Sequence, residues 1–213
     1  MRLEGNDDES QEFAQWLLDT GHGCNTHADG TVNLLEQMRC PSSSALTDAI
    51  YLGIGEQHCV PPPDYFLQRI ILAARNSDVE DLNADVSGKM YGNCRTYHSA
   101  DSIVTEAGAD EDIEENPFPP EFLRTLLASG LPPSELHLKI GCPLILLCNL
   151  APAIGLCNRT RMVLLRMMPK VLEVRLIGGD HDGDIAMIPC TISTPSGQNA
   201  DFSFKLRRRQ FPI

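Results

Sequence analysis

Hydrophobic positions along the chain keep a helical period at first, and a strand period takes over near residue 135. Phe13, Trp16 and Leu17 fall on one side of a helical turn, and turn signals follow at Gly21–Gly23 and Asn25–Gly30. Leu46, Ile50 and Ile54 share a face four residues apart, which predicts a second helical stretch before the break at Pro61-Pro62-Pro63. The run Arg69-Ile-Ile-Leu-Ala-Ala74 is short and apolar, as a buried strand would be. Ser77-x-x-Glu80 has the spacing of a capping box, and Val79, Leu82 and Val86 supply the apolar face of the helix it would open. A strand running into a capped helix is the repeating unit of an α/β sheet.

Further on, Pro119-Pro120 and Gly130 bracket a short helix, with proline at its start and glycine past its end. Leu136, Leu138 and Ile140 then alternate with polar residues, Gly141-Cys-Pro143 turns the chain, and Leu144–Leu150 is apolar except at Asn149. Arg161–Met167, Val171–Ile177, Ile185–Ile188 and Phe202–Leu206 follow as strands between turns rich in Pro, Gly and Asp, which suggests a small antiparallel sheet or barrel. No internal repeat is visible.

Composition adds limits. The 213 residues are 42% hydrophobic, enough for a core in one ordinary domain or two small ones. The longest candidate for an apolar run, around Leu144–Leu150, is strand-sized and interrupted by Asn149, so no membrane partner is expected. The acidic start MRLEGNDDESQEF lacks the features of a secretory signal, which leaves an intracellular location, nucleus ahead of mitochondrion, as the expectation. Eight cysteines scattered without a CxxC pair fit reduced thiols. The net charge of −12 is divided unevenly: residues 1–123 carry −17 and residues 124–213 carry +5, and a basic half favours a phosphate backbone. Thr96 to Leu123 contains eight acids and no Lys or Arg, so Ala107–Asn116 is expected to be a mobile loop.

Local motifs for catalysis or metal are weak. Gly178-Gly-Asp-His-Asp-Gly-Asp184 resembles a calcium loop only in its carboxylates, and its spacing reads as a hairpin turn. His22, Cys24 and His27 lack a second ligand pair, so no metal site is assigned. Met162, Met167 and Met168 read as core filling. Lys139 falls on the polar side of its strand and reads as solvated; Lys205-Leu-Arg-Arg-Arg209 reads as a phosphate contact, a targeting signal or a charged strand edge. No catalytic residue is assigned.

The run from Leu131-Pro-Pro through Leu136-His-Leu-Lys-Ile-Gly-Cys-Pro143 to Gly155-Leu-Cys-Asn-Arg-Thr-Arg161 resembles a segment of PIF/RecD-like DNA helicases, most closely those of Helitron transposons and related fungal elements. Phe13-x-x-Trp16-Leu-Leu, Tyr65–Asn76 with Val79 and Asn83, and Arg208-Arg-Gln-Phe-Pro-Ile213 resemble other segments of that family in the same order. The resemblance implies an α/β, incomplete RecA-like P-loop NTPase second domain carrying a small antiparallel β-barrel insert, α+β overall. It places a connecting segment at 1–60, the start of the second RecA-like domain at 61–104, an acidic loop at 105–116, the helix and barrel at 117–165, and a β-rich return at 166–213. At position 159 the family has glycine. If that glycine supplies a positive φ, Arg159 costs about 1 kcal/mol or more.

By the same resemblance, Arg75 and Asn76, near the family's motif IV, and Asn158, Thr160 and Arg161, in the barrel motif, are the candidate contacts to DNA or phosphate. A polar helix junction and turn-stabilising hydrogen bonds are the competing readings. The intact family uses ATP and Mg, binds single-stranded DNA and moves 5′ to 3′. The only Gly-Lys here, Gly88-Lys89-Met90, lacks the glycine loop and hydroxyl of GxxxxGK[ST], so no cofactor is assigned to this chain. The expectation is a helicase fragment that grips single-stranded DNA, works with missing helicase domains, serves DNA repair, recombination or transposon replication, and does not hydrolyse ATP alone. The alternatives are a non-enzymatic module binding single-stranded DNA or protein, or a transposon relic.

Overall fold

A computed structural model of the chain describes residues 8–55, 60–104, 118–126, 130–195 and 204–213. Two compact units emerge, residues 1–46 and 47–213.

In the first unit, α1 (Asp8–Gly21) carries the apolar turn read from the sequence, with the rings of Phe13 and Trp16 stacked at 6.2 Å. Its last turn reverses at Gly23, whose φ is +77°. The following turn is closed by Asp29, whose carboxylate accepts bonds from both the hydroxyl and the amide of Thr31 at 2.7 and 3.0 Å. Those bonds hold the Asp29 pKa below the usual carboxylate value.

The second unit is built on antiparallel strands: β1 (Arg95–His98), β2 (Ala100–Val104), β3 (Glu135–Leu138), β4 (Pro143–Ile145), β5 (Arg161–Met167), β6 (Val171–Leu176), β7 (Ile185–Pro189), β8 (Thr191–Ser193) and β9 (Lys205–Gln210). They form three sheets, with orders β1-β3, β2-β9-β8 and β4-β5-β6-β7. The four-stranded meander shows why alternation specifies register. Leu144, Met162, Leu164, Leu172, Val174, Leu176, Ala186 and Ile188 are buried on one face, while Ile145, Ile185 and Met187 stay exposed on the other. The hairpin expected at Gly178–Asp184 joins β6 to β7, with Asp182 accepting the Gly178 amide at 2.6 Å.

β1 and β2 are consecutive, and Ser99 between them donates its amide to Ser134 at 2.7 Å. Buried Gln210 seals this joint. Its side-chain nitrogen donates to the carbonyls of Tyr97 and Ser134, and its oxygen accepts the Phe211 amide. Phe211 packs edge-on against Tyr97 at 5.0 Å, and Tyr97 donates its hydroxyl to the Met168 carbonyl. Phe211 and Ile213 therefore belong to the core.

Helices attach through a few specific contacts. α4 (Pro120–Thr125) is too short to be stable alone. Leu123 and Leu126 bury against Leu206, with Phe118 and Phe204 alongside. α2 (Ser43–Ile50) and α3 (Asn76–Lys89) are tied together by Lys89, whose ammonium donates to Thr47 and Asp48 at 2.7 Å and to Asp85 at 2.9 Å. Gly55, at φ +80°, lets the chain pass the end of α3 so closely that a Cβ would lie 2.1 Å from the Lys89 carbonyl oxygen.

Several sequence expectations are corrected. Residues 69–74 form no strand, and Ile70 and Leu72 are 66% and 84% exposed. A parallel strand is buried by flanking strands, and every strand pair among the described residues is antiparallel. Ser77 is not a cap: α3 begins at Asn76 behind Arg75, and the Ser77 hydroxyl bonds Asp78 instead. α4 ends at Thr125 with Leu126 as its cap, well before Gly130. The last strand begins at Lys205 among the described residues, the expected start at Phe202 lies outside them, and β1, β2 and β8 were not anticipated. Lys139 is not simply solvated; it donates to the carbonyls of Met90 and Gly88 and so caps the C-terminal end of α3. The acidic segment Ala107–Asn116 lies outside the described residues.

Candidate nucleic-acid interface

The turn at 157–161 follows from one unusual backbone requirement. The Thr160 amide donates to the Cys157 carbonyl, the Arg159 amide to Leu146, and the Leu146 amide to Thr160. Two residues, Arg159 and Thr160, thus face one, Leu146, in the arrangement of a bulge whose first residue is left-handed and ordinarily glycine. Arg159 has φ +69°, the one positive value at a non-glycine among the described residues.

Within this turn the expected site residues divide. Thr160 is structural: its hydroxyl donates to the Gly155 carbonyl at 2.8 Å and accepts the Cys157 amide at 3.2 Å. The Asn158 amide donates to the Asn149 side chain, which anchors the backbone and leaves the Asn158 side chain exposed. Arg161 opens β5 with its carbonyl bonded to the Ile177 amide and its guanidinium exposed. Asn158, Arg159 and Arg161 therefore present polar side chains from a backbone that is itself pinned.

Arg75 and Asn76 stand at the start of α3. Arg75 is extended, with φ −116° and ψ 142°, and no side chain caps the helix. The first-turn amides attract anions, while Asp78 in the same turn opposes them. No hydrogen bond or ion pair joins this pair to the 157–161 turn among the described residues.

The larger feature is β9, whose basic run the sequence left open as a phosphate contact, a targeting signal or a charged strand edge. It is the central strand of its sheet, and its arginines alternate. Arg208 points inward with 1% side-chain exposure and pairs with the equally buried Asp101 at 2.8 Å. Its remaining donors reach the carbonyls of Pro132, Leu123 and Leu126, satisfying carbonyls at the end of α4. Arg207 and Arg209 point outward. The missed signal is the period of two through Leu206, Arg208 and Gln210, since a buried leucine fixes which face the middle arginine must join.

Among the described residues no helix is long and apolar enough to cross a membrane. Residues 121–167, from α4 to the end of β5, match the family model described as DNA helicase Pif1, 2B domain. No curated protein matches the chain in sequence. Among solved structures it is similar to the Pif1 helicase from Candida albicans, at 15% identity over 95% of this chain and 42% of that one, TM-score 0.49. It is also similar to unliganded Pif1 from Bacteroides sp, at 19% identity over 65% of this chain and 36% of that one, TM-score 0.41. A third is Bacteroides Pif1 bound to ssDNA, at 19% identity over 65% of this chain and 27% of that one, TM-score 0.40. The chain thus spans less than half the length of these proteins. The family-model match is confined to residues 121–167, and with TM-scores below 0.5 the structural likenesses carry no argument.

Proposed function

We propose that this chain, whose residues 121–167 match the Pif1 2B domain model, is the part of a DNA helicase that grips single-stranded DNA and does not hydrolyse ATP by itself. The observation that carries the reading is the 2B match, because it falls on the pinned turn that holds Asn158, Arg159 and Arg161 outward. In the whole helicase such a grip would act beside the ATP-driven motor and Mg, with 5′-to-3′ movement and roles in repair, recombination or transposon replication following from the resemblance of the sequence.

Two features support separating grip from motor. Lys89, the one lysine after a glycine, is committed to Thr47, Asp48 and Asp85, and so ties two helices rather than a phosphate. The exposed guanidiniums of Arg159 and Arg161 have no ion pair among the described residues, and arginine offers a planar fork that suits phosphate oxygens. Thr160 serves the turn, and Arg75 with Asn76 would add only a weak contribution through the α3 N-terminus.

Fluorescence anisotropy of a labelled oligo-dT, titrated with the chain over a salt series, tests the grip. Saturable binding that weakens steeply with salt is expected. Absent or salt-independent binding overturns it.

A further inference from the structure

We propose that the outer face of the β2-β9-β8 sheet is a second contact for the phosphate backbone of single-stranded nucleic acid, held by Arg207 and Arg209. This rests on the reading of the chain as a single-strand-binding module and adds a surface outside the matched 2B segment. Both arginines project from the central strand, two residues apart, so their Cα atoms stand about 6.8 Å apart along it.

The residues opposite them on β2 are small. Ser102 pairs with Arg207 and Ala100 with Arg209 on β2, while Ile192 pairs with Arg209 on β8. Together with Asp101, whose carboxylate is taken by Arg208, these residues and the two arginines line an open depression. Ser102 adds a hydroxyl, and Ile192, 54% exposed, adds an apolar platform for a sugar or base.

The arginines are also pre-positioned. Arg208 between them is locked to Asp101 and three backbone carbonyls, and Gln210 beyond them is locked at the β1–β2 joint. The strand therefore cannot slip, and its outward side chains keep their spacing. Neither Arg207 nor Arg209 has a carboxylate partner among the described residues, although the whole chain carries −12. Two unneutralised arginines lining an open depression favour a chain of anions, which each fork can meet in bidentate fashion.

The test is the full 213-residue chain against a fluorescein-labelled oligo-dT of about 16 nucleotides. R207A/R209A and R207K/R209K would be compared with wild type over a salt series. Both pairs lie on the exposed face, so unchanged melting of the variants is the control for folding. Two lost phosphate contacts should flatten the slope of log K against log salt by about 1.4 for a single strand, and R207K/R209K should keep the slope. The affinity of R207A/R209A at low salt should fall at least about tenfold.

Wild-type slope and affinity in R207A/R209A would overturn this face while leaving the grip at the 157–161 turn standing. Loss of all oligo-dT binding in the wild-type chain would overturn both readings. Arginine-dependent binding of labelled poly-glutamate, with none of oligo-dT, would assign the face to an acidic protein segment and overturn the nucleic-acid proposal.

Discussion

Replacing Arg159 by glycine should stabilise the protein, although it deletes an arginine from the matched domain. At φ +69° this residue occupies the left-handed region, where a side chain costs about 1–2 kcal/mol. Glycine removes that cost but gains freedom in the unfolded chain, which returns about 0.5–1 kcal/mol. The net expectation is about 0.5–1 kcal/mol of added stability, or about 1–4 °C in Tm for a chain of this size. The backbone bonds of the turn, Arg159 amide to Leu146 and Leu146 amide to Thr160, are kept in the variant. Thermal and urea unfolding of wild type, Arg159→Gly, Arg159→Asn and Arg159→Ala would separate backbone from side-chain effects. Asparagine tolerates this region and should recover part of the gain, whereas alanine keeps the strain and should stay within about 0.5 kcal/mol of wild type. Equal stabilisation by alanine and glycine would refute the backbone argument, as would a less stable glycine variant.

Other consequences follow from the buried polar contacts. Asp101→Asn should cost about 3–5 kcal/mol in urea unfolding, because Arg208 would remain charged and buried without its carboxylate; a loss below about 1 kcal/mol would contradict the pairing. Asp85 has its pKa lowered, first by the Thr47 hydroxyl and then by Lys89, so its contribution is present above pH 3.8 and is lost as pH falls through the lower folded value. The Tm gap between wild type and Asp85→Asn should therefore narrow under acid, and a gap constant with pH would count against this. Burial pushes the Cys142 thiol up to about 11, so brief maleimide treatment at neutral pH should label exposed Cys24, Cys40 and Cys94 first, as peptide mass spectrometry would show. Equal labelling of Cys142 and Cys94 would contradict its burial.

Much of the second unit was legible because strand alternation is strict where one face is buried. Val171–Ile177 is a strand close to its expected bounds because it carries a buried residue at every second position. Arg161–Met167 instead buries Met162, Val163 and Leu164 in succession before its register shifts, and was legible as a continuous apolar run. Residues 69–74 misled for the complementary reason. An apolar run says that burial is available, but burial requires neighbouring strands, and the run itself holds no information about them. Ser77 had the right spacing for a cap, and the helix began one residue earlier, where Arg75 is already extended.

The candidate site was legible unevenly. The conditional cost at Arg159 could be foreseen because glycine in the resembling family pointed to a backbone requirement, and the bulge against Leu146 now supplies it. The Thr160 hydroxyl bonds the Gly155 carbonyl and the Cys157 amide, the kind of turn contact that the competing reading expects of threonine. The opposite fates of Arg208 and its two neighbours were not foreseen. A run of like charges was read as one block, whereas a strand sends successive side chains to opposite faces. Likewise, the partners of Arg208 lie far away in sequence, at Asp101, Leu123, Leu126 and Pro132, and no local pattern announces them.

The separation of a DNA grip from the ATP-driven motor is tested most directly in one reaction. The full chain, in excess, is mixed with trace labelled oligo-dT and trace labelled ATP, and bound oligonucleotide and released phosphate are read together under single-turnover conditions. Oligonucleotide held by the protein while ATP stays intact is the predicted result. Phosphate released above the protein-free control, or oligonucleotide left unbound at low salt, would contradict the account.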